Sequence, residues 1–368
     1  MRRPAIVPFV LALLVAAAAP ASADVTRSLN GSLTPGAGEA WAVENLAGTM
    51  KVVPGPGTSV TATVTVRAES DALASLLEVK EVRGPKGVRT LRVVYPIQEH
   101  TTYRYAPKGK SDSFLGGLFG GDSTVEYAGR QVKVSTSRGV RLYADVEVQV
   151  PARLGQGTLR NQVGRLQASG LEGTLRFDAA SGDVDLERLK GTIGADTGSG
   201  DVRVTDGEGA LDCDTGSGDI SIEGFRGDLL EADVGSGDIK VRSGGITKVD
   251  LDTGSGDVSL KAAEVEEFLG DTGSGNLVLD IGGSRLRRVK ASTGSGDVTL
   301  RLASDASFEV HVDQGSGDTD NRFPDAAPLV KGREVIGYKR GDGRTRIDVE
   351  TGSGDFTLEP SSTSAALR

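Results

Sequence analysis

Aspartate is the residue type in this chain whose placement could do chemistry. It closes a Gly-Ser-Gly-Asp tetrapeptide, or a close variant, at Asp183, Asp201, Asp219, Asp238, Asp257, Asp297, Asp318 and Asp355, with Asn276 standing in once. Five residues ahead of most of these lies a second acid: Asp178, Asp196, Asp214, Asp233, Asp252, Asp271, Asp313 and Glu350. If the repeats stack, each set becomes a column of carboxylates about 4.8 Å apart, and neighbours repel by about 0.9 kcal/mol even at the dielectric of water. Something must offset that repulsion. One answer is that each aspartate accepts hydrogen bonds from N–H groups of its own corner. Another is Ca²⁺, which takes several carboxylate and carbonyl oxygens. Asp196, Asp201, Asp214, Asp219, Asp233, Asp238, Asp252 and Asp257 make up that candidate calcium ladder, and no other cofactor is expected. The spacing departs from the calcium-binding nonapeptide, in which a residue separates Gly from Asp. Here Asp201 follows Gly200 directly.

Other reactive types are sparse. Long solenoids host carbohydrate lyases and hydrolases that work with paired carboxylates, but a repeated ladder offers no unique pair. The two histidines, His100 and His311, are far apart in sequence, and His311 falls at an outward position. Trp41 is the only tryptophan, which is few for a sugar site. No nucleophile and base can be named as a set. Cys213, the only cysteine, shares a column with alanine and leucine and reads as core. It also rules out an intrachain disulfide. A row of threonines, Thr197, Thr215, Thr253, Thr272, Thr293 and Thr351, raises ice binding, but its parity is the buried one, so an internal hydrogen-bonded ladder is expected. Phe114, Leu115, Leu118 and Phe119 lie in a Gly-rich stretch, Lys108 to Ser123, and form a candidate partner contact because exposed apolar clusters mark interaction sites.

These residues need elements to position them. The motif recurs at steps of 18, 18, 19, 19, 19, 21, 21 and 37 residues, and a period near 19 is the mark of a stacked repeat. After each motif, apolar residues alternate, as in Val202 and Val204 or Ile220 and Ile222. Before it they alternate too, as in Ile193, Ala195 and Thr197. Alternation is the period of a strand with one buried face. Each repeat therefore reads as strand, glycine corner, strand and looser loop, the glycines supplying backbone angles that other residues take at a cost. One such turn cannot bury its apolar face alone, whereas neighbouring turns bury it together. The expected fold is all-β: a parallel β-solenoid of about ten two-stranded rungs with an N-terminal β-rich cap. An antiparallel meander of hairpins is the alternative.

Residues 24–150 are expected to form the cap, with a short helix from Asp71 to Leu77 behind Ser70. Residues 151–359 form the repeats, beginning with a degenerate rung at Val163–Leu166. Arg322 to Arg344 is an irregular insertion, read as a protruding hairpin or an irregular rung, and 360–368 a disordered tail. Residues 1–23 carry a positive start, an apolar run and Ala21-Ser22-Ala23, the pattern of a cleaved signal peptide. No later apolar run is long enough to span a membrane. Losing Arg2 and Arg3 takes the net charge from −9 to −11, which argues against nucleic acid as a partner.

Val43-Glu44-Asn45-Leu46-Ala47-Gly48, Val146-Glu147-Val148-Gln149-Val150-Pro151, the Thr-Gly-Ser-Gly-Asp series and the ending from Gly337 to Asp355 together resemble the bacterial putative-adhesin domain, a β-strand-repeat domain of unknown function. The resemblance covers about residues 40–359. It implies an exported or envelope-associated protein and supplies no catalytic residues, while the signal peptide directs the chain to the periplasm or beyond the cell. The expected function is that of a non-enzymatic adhesin or envelope-associated binding or scaffold module, with an envelope protein or surface glycan as partner. A carbohydrate-active solenoid enzyme is the alternative.

Overall fold

The computed structural model describes residues 25–106, 122–152 and 154–361. The chain is all-β and solenoid-like, with a single short α-helix among the described residues, Asp71–Ser75. Ser70 Oγ caps that helix by accepting from Leu73 N. Each repeat supplies the two strands that its alternation predicts. In the rung of Asp201 a leading strand, Lys190–Thr197, runs into the corner and a trailing strand, Val202–Thr205, leaves it. Leading strand pairs with leading strand of the next rung, in parallel: Ile193 lies opposite Leu211, Ala195 opposite Cys213 and Thr197 opposite Thr215. Trailing strands do likewise, Val202 opposite Ile220 and Ile220 opposite Ile239. The rung-to-rung pairing is parallel, so the hairpin meander does not describe the repeats. The two sheets face each other across a continuous core of Val, Ile, Leu and Phe. Cys213 sits in that core, fully buried.

The glycine corner is dictated by stacking more than by turn conformation. Gly200 and Gly218 have φ of +143° and +152°, as expected for residues chosen for their backbone angles. Gly275 does not lie in the left-handed region, yet a Cβ added there would stand 1.8 Å from the carbonyl oxygen of Gly256, one rung away. The same approach recurs at 1.9 Å between Gly296 and Gly275. Each corner carbonyl therefore occupies the space that a side chain on the next corner would need. The buried threonines use the same carbonyls: Thr215 Oγ1 donates to Gly200 O at 3.0 Å and Thr272 Oγ1 to Gly256 O at 2.9 Å. The internal threonine ladder is thus present, and Val234 interrupts it once. Toward the N-terminus the column turns to asparagine. Asn45 lies opposite Asn161 and donates to its Oδ1 at 2.9 Å, and Asn161 Nδ2 donates to Gly48 O at 2.9 Å.

Rung-type stacking starts earlier than the degenerate Val163–Leu166 rung. Trp41–Ala47 and Met50–Gly55 pair in parallel with Gly157–Val163 and Leu166–Ser169. The stack thus reaches into the stretch expected to be cap, and the described residues between Gly55 and Gly157 form an excursion between two consecutive rungs. That excursion covers the end of the rod. Arg89–Val94 and Leu142–Pro151 continue the two sheets, and antiparallel strands Glu78–Arg83, Val60–Ala68 and Val25–Leu33 finish them. Five tyrosines are buried here, with Tyr95 packed edge-on against Tyr103 and Tyr127 at centroid distances of 5.4 and 5.9 Å.

At the other end, order in space departs from order in sequence. The Asp355 rung lies between the Asp297 and Asp318 rungs, its strands Thr345–Ser353 and Phe356–Pro360 paired in parallel on both sides. The insertion at 322–344 is a hairpin, Ala327–Lys331 with Glu334–Arg340, whose second strand pairs antiparallel with Phe308–Ser316. Pro360 ends the last strand, and Ser361 N donates to Leu302 O at 2.6 Å. The first two residues of the expected tail are therefore tied down. The expected signal peptide, the Phe114–Phe119 cluster and residues 362–368 lie outside the described residues.

A Gly218→Ala substitution would place its Cβ 2.1 Å from Gly200 O. It is expected to cost about 3 kcal/mol or more, read as a lower urea midpoint. An unchanged midpoint would mean that the corners do not stack as described.

Candidate functional site

The outward residues divide into two surfaces with different electrostatics. On the corner column every aspartate carboxylate but that of Asp318, on the last rung of the stack, accepts a backbone N–H. The N–H that each caps belongs to the next rung rather than to its own corner, which corrects the expectation above. Asp219 N donates to Asp201 Oδ1 at 3.1 Å, Asp238 N to Asp219 Oδ1 at 3.0 Å and Asp257 N to Asp238 Oδ1 at 3.0 Å. Asn276 joins the series by accepting from Asp297 N at 2.9 Å. The chain continues through Asp355 N to Asp297 Oδ1 and Asp318 N to Asp355 Oδ1. Basic residues two positions on take some of the second oxygens. Arg203 Nη2 reaches Asp201 Oδ2 at 2.5 Å, and Lys240 Nζ reaches Asp238 Oδ2 at 2.9 Å. Partial burial works against ionisation of Asp238, but the Lys240 ammonium and the Asp257 N–H hold its carboxyl below the usual range.

The other acid column has no such compensation over most of its length. It runs along the outer face of the leading sheet, where Asp196, Asp214, Asp233, Asp252 and Asp271 stand opposite one another in register. Asp196 is bridged by Arg176 Nη2 at 2.7 Å, and that guanidinium also holds Asp178. From Asp214 onward no ion pair forms among the described residues. Two positions earlier on the same strands a further column appears: Asp212, Glu231 and Asp250. Sequence reasoning missed it, although its outward parity was readable. The eight aspartates of the candidate ladder are thus split. Asp201, Asp219, Asp238 and Asp257 cap backbone, while Asp196, Asp214, Asp233 and Asp252 face solvent in an acidic double stripe.

Electrostatic cost is visible in this stripe. Partial burial, then the neighbouring charges of Asp196, Asp233 and Asp212, raise the Asp214 carboxyl above its ordinary range. Partial burial, then Asp271, Asp233 and Asp250, do the same to Asp252. Among the described residues no group of three or more His, Cys, Asp or Glu side chains is arranged to hold a metal ion. The stripe is a flat array, not a coordination cage.

The remaining candidates resolve plainly. His311 is a half-exposed surface residue, its Nε2 3.2 Å from Glu309 Oε1. His100 belongs to a different region, in the N-terminal excursion. The Cys213 thiol is pushed far up by burial and by Asp212, leaving no thiolate to attack anything. Trp41 is buried, with Nε1–H donating to Gly155 O at 3.0 Å, so it offers no sugar platform. A shallow groove of 330 Å³ crosses the outer face of the trailing sheet between Lys51, Gln167, Asp185, Glu187, Arg203 and Thr205. Among the described residues no helix is long and apolar enough to cross a membrane.

The family model described as Toastrack DUF4097 matches this chain over residues 59–223 and 209–359. No curated protein matches the sequence. Three solved structures are similar to it. A putative cell adhesion protein from Clostridium sporogenes shares 10% identity at a TM-score of 0.20, over 91% of this chain and 100% of its own. A putative adhesin from Parabacteroides merdae shares 15% at 0.39, over 90% and 96%. A putative lipid binding protein from Parabacteroides distasonis shares 12% at 0.38, also over 90% and 96%.

Two predictions separate the columns. Asp238→Asn keeps the Oδ1 acceptor, as Asn276 does naturally, and should be nearly neutral in thermal unfolding, whereas Asp238→Ala strands the Asp257 N–H and should cost about 1 kcal/mol. Asp214→Asn should behave oppositely. A carboxyl with a raised folded pKa is destabilising when ionised, so this variant gains stability at pH 7 and low salt, by about 0.3 kcal/mol once solvent screening of an exposed carboxyl is allowed for. The gain shrinks as pH falls through the folded pKa and vanishes below the unfolded value of about 3.9. A loss of stability at pH 7 would refute the repulsion.

Proposed function

The chain belongs to the Toastrack DUF4097 family, and from that membership we propose that it is a non-enzymatic, exported repeat protein whose rod serves as an adhesin-like binding or scaffold surface of the cell envelope. The observation that carries this reading is the acidic double stripe. Asp214, Asp233, Asp252 and Asp271, flanked by Asp212, Glu231 and Asp250, repeat at strand spacing on a rigid face and form no ion pair among the described residues. Such a surface suits a partner with a matching run of positive charge, or one joined through cations, and its contacts add up along the rod. The partner class is an envelope protein with a basic segment, or a surface glycan bridged by cations. Nucleic acid carries the wrong charge for this face.

The reading includes an architecture of about ten two-stranded rungs over residues 151–359, a β-rich N-terminal region over 24–150, and a leader at 1–23 that directs the chain to the periplasm or outside the cell. The Phe114–Phe119 cluster is a second candidate contact. Calcium is the cation proposed for the stripe, through Asp196, Asp214, Asp233 and Asp252, and less for the corner aspartates, whose oxygens already hold backbone N–H groups.

Two measurements test this. Immobilised protein is expected to bind basic peptides or glycans saturably, without turnover, and to lose most of that binding in the triple variant Asp214→Asn, Asp233→Asn, Asp252→Asn and at high salt. Hydrolysis or elimination of an arrayed glycan, abolished by one carboxylate substitution, would replace the proposal with a carbohydrate-active enzyme. Calcium should raise the melting midpoint relative to a chelator. Identical midpoints would remove calcium from the account.

A further inference from the structure

The last rung in sequence is not the last in space, and this creates a site of its own. The Asp297 rung, Arg288–Thr293 and Val298–Leu302, forms one wall of a slot, and the Asp318 rung, Phe308–Ser316 and Thr319–Asn321, forms the other. Among the described residues no strand pairing joins the two walls directly. Everything between them is the segment Thr345–Pro360.

The outer wall has support that does not depend on this segment. Phe308 to His311 pairs antiparallel with Gly337 to Arg340, and that strand with Ala327–Lys331. Arg340 Nη1 donates to Ala306 O at 2.6 Å, and its guanidinium lies 5.2 Å over the Phe323 ring. These contacts are local in sequence, so the wall can form early. The intervening rung is held from both sides. Glu359 accepts from Arg301 Nε at 2.7 Å on the inner wall and from Arg322 Nη1 at 2.5 Å beside the outer one. Thr351 Oγ1 donates to Gly296 O at 3.2 Å, while Gly354 O accepts from Gln314 Nε2 at 2.8 Å. All of these partners of the walls lie within 345–360. The same segment from another molecule offers the identical set. Its tether, Gly341 to Arg344, contains two glycines at φ of +62° and +70°.

We infer that Thr345–Pro360 is a detachable rung that docks last, and that the slot it fills is where two copies of this chain exchange their C-terminal rungs. This goes beyond the proposed binding surface, uses none of its residues, and stands or falls separately. Closed and exchanged forms share every contact except the path of the tether, which is the condition for domain swapping.

Tether length gives the test. Arg340 and Thr345 flank Phe308 on opposite sides, so the link spans two strand spacings, about 9.6 Å. Deleting Gly341, Asp342 and Gly343 leaves a reach of about 7.6 Å, two Cα steps. The rung can then dock only in another molecule. Light scattering on the deletion variant of the full chain should give twice the wild-type mass, with the wild-type circular dichroism spectrum. Adding Gly354→Val, whose side chain would start 1.9 Å from Gly296 O, should abolish that doubling. A deletion variant that is a folded monomer, one that fails to fold, or a dimer that survives Gly354→Val would each overturn the inference.

Discussion

The structure depends on one steric constraint: at each corner, the carbonyl of one glycine lies where the next rung's glycine would carry its Cβ. Between Gly275 and Gly256 that gap is 1.8 Å, less than any real side chain tolerates. In return, the corners come close enough for threonine to reach the same carbonyl from inside and for aspartate to reach the next N–H from outside. The parallel pairing on both sheets keeps this geometry in phase from rung to rung. A solenoid of this kind is therefore regular because its backbone is crowded, and the crowding is what selects Gly-Ser-Gly-Asp repeatedly.

Repetition also repeats charge. The molecule handles its two acid columns differently, and the difference is what separates structure from candidate function. At the corner each carboxylate but that of Asp318 has a neighbouring N–H as donor, and Arg203 and Lys240 add cations, so the column holds rungs together. On the outer face of the leading sheet Asp214, Asp233 and Asp252 form no ion pair among the described residues, and partial burial, then the neighbouring acids, raise the carboxyls of Asp214 and Asp252. Unrelieved repulsion along a rigid face is a standing cost to folding. A partner that supplies positive charge would recover it, which gives the stripe its interest as a binding surface.

The two ends of the rod meet a different problem, since an open rung leaves backbone groups unpaired. At the N-terminal end a long excursion with its own tyrosine cluster covers the last parallel strands. At the C-terminal end a hairpin covers the Asp318 rung, and the chain then returns to fill the gap behind it. Such an end is closed by topology as well as by packing.

Much of this was legible in the residues themselves. The period, the alternation of Val202 with Val204 and of Ile193 with Ala195, and the buried parity of the threonines all follow from local rules, because each rung repeats the environment of the one before. Cys213 read as core for the same reason. Other features were decided only by the tertiary structure. No local pattern says that Asp219 donates its N–H to Asp201 rather than folding back on its own corner, since the partner is eighteen residues away. Nothing in the spacing of Asp318 and Asp355 reveals that their rungs stack in reverse order. Trp41 and Asn45 could be placed in the stack only once their partners, returning after a hundred residues, were seen beside them. Sequence fixes what repeats with the chain; contacts between segments that the chain itself separates belong to the fold.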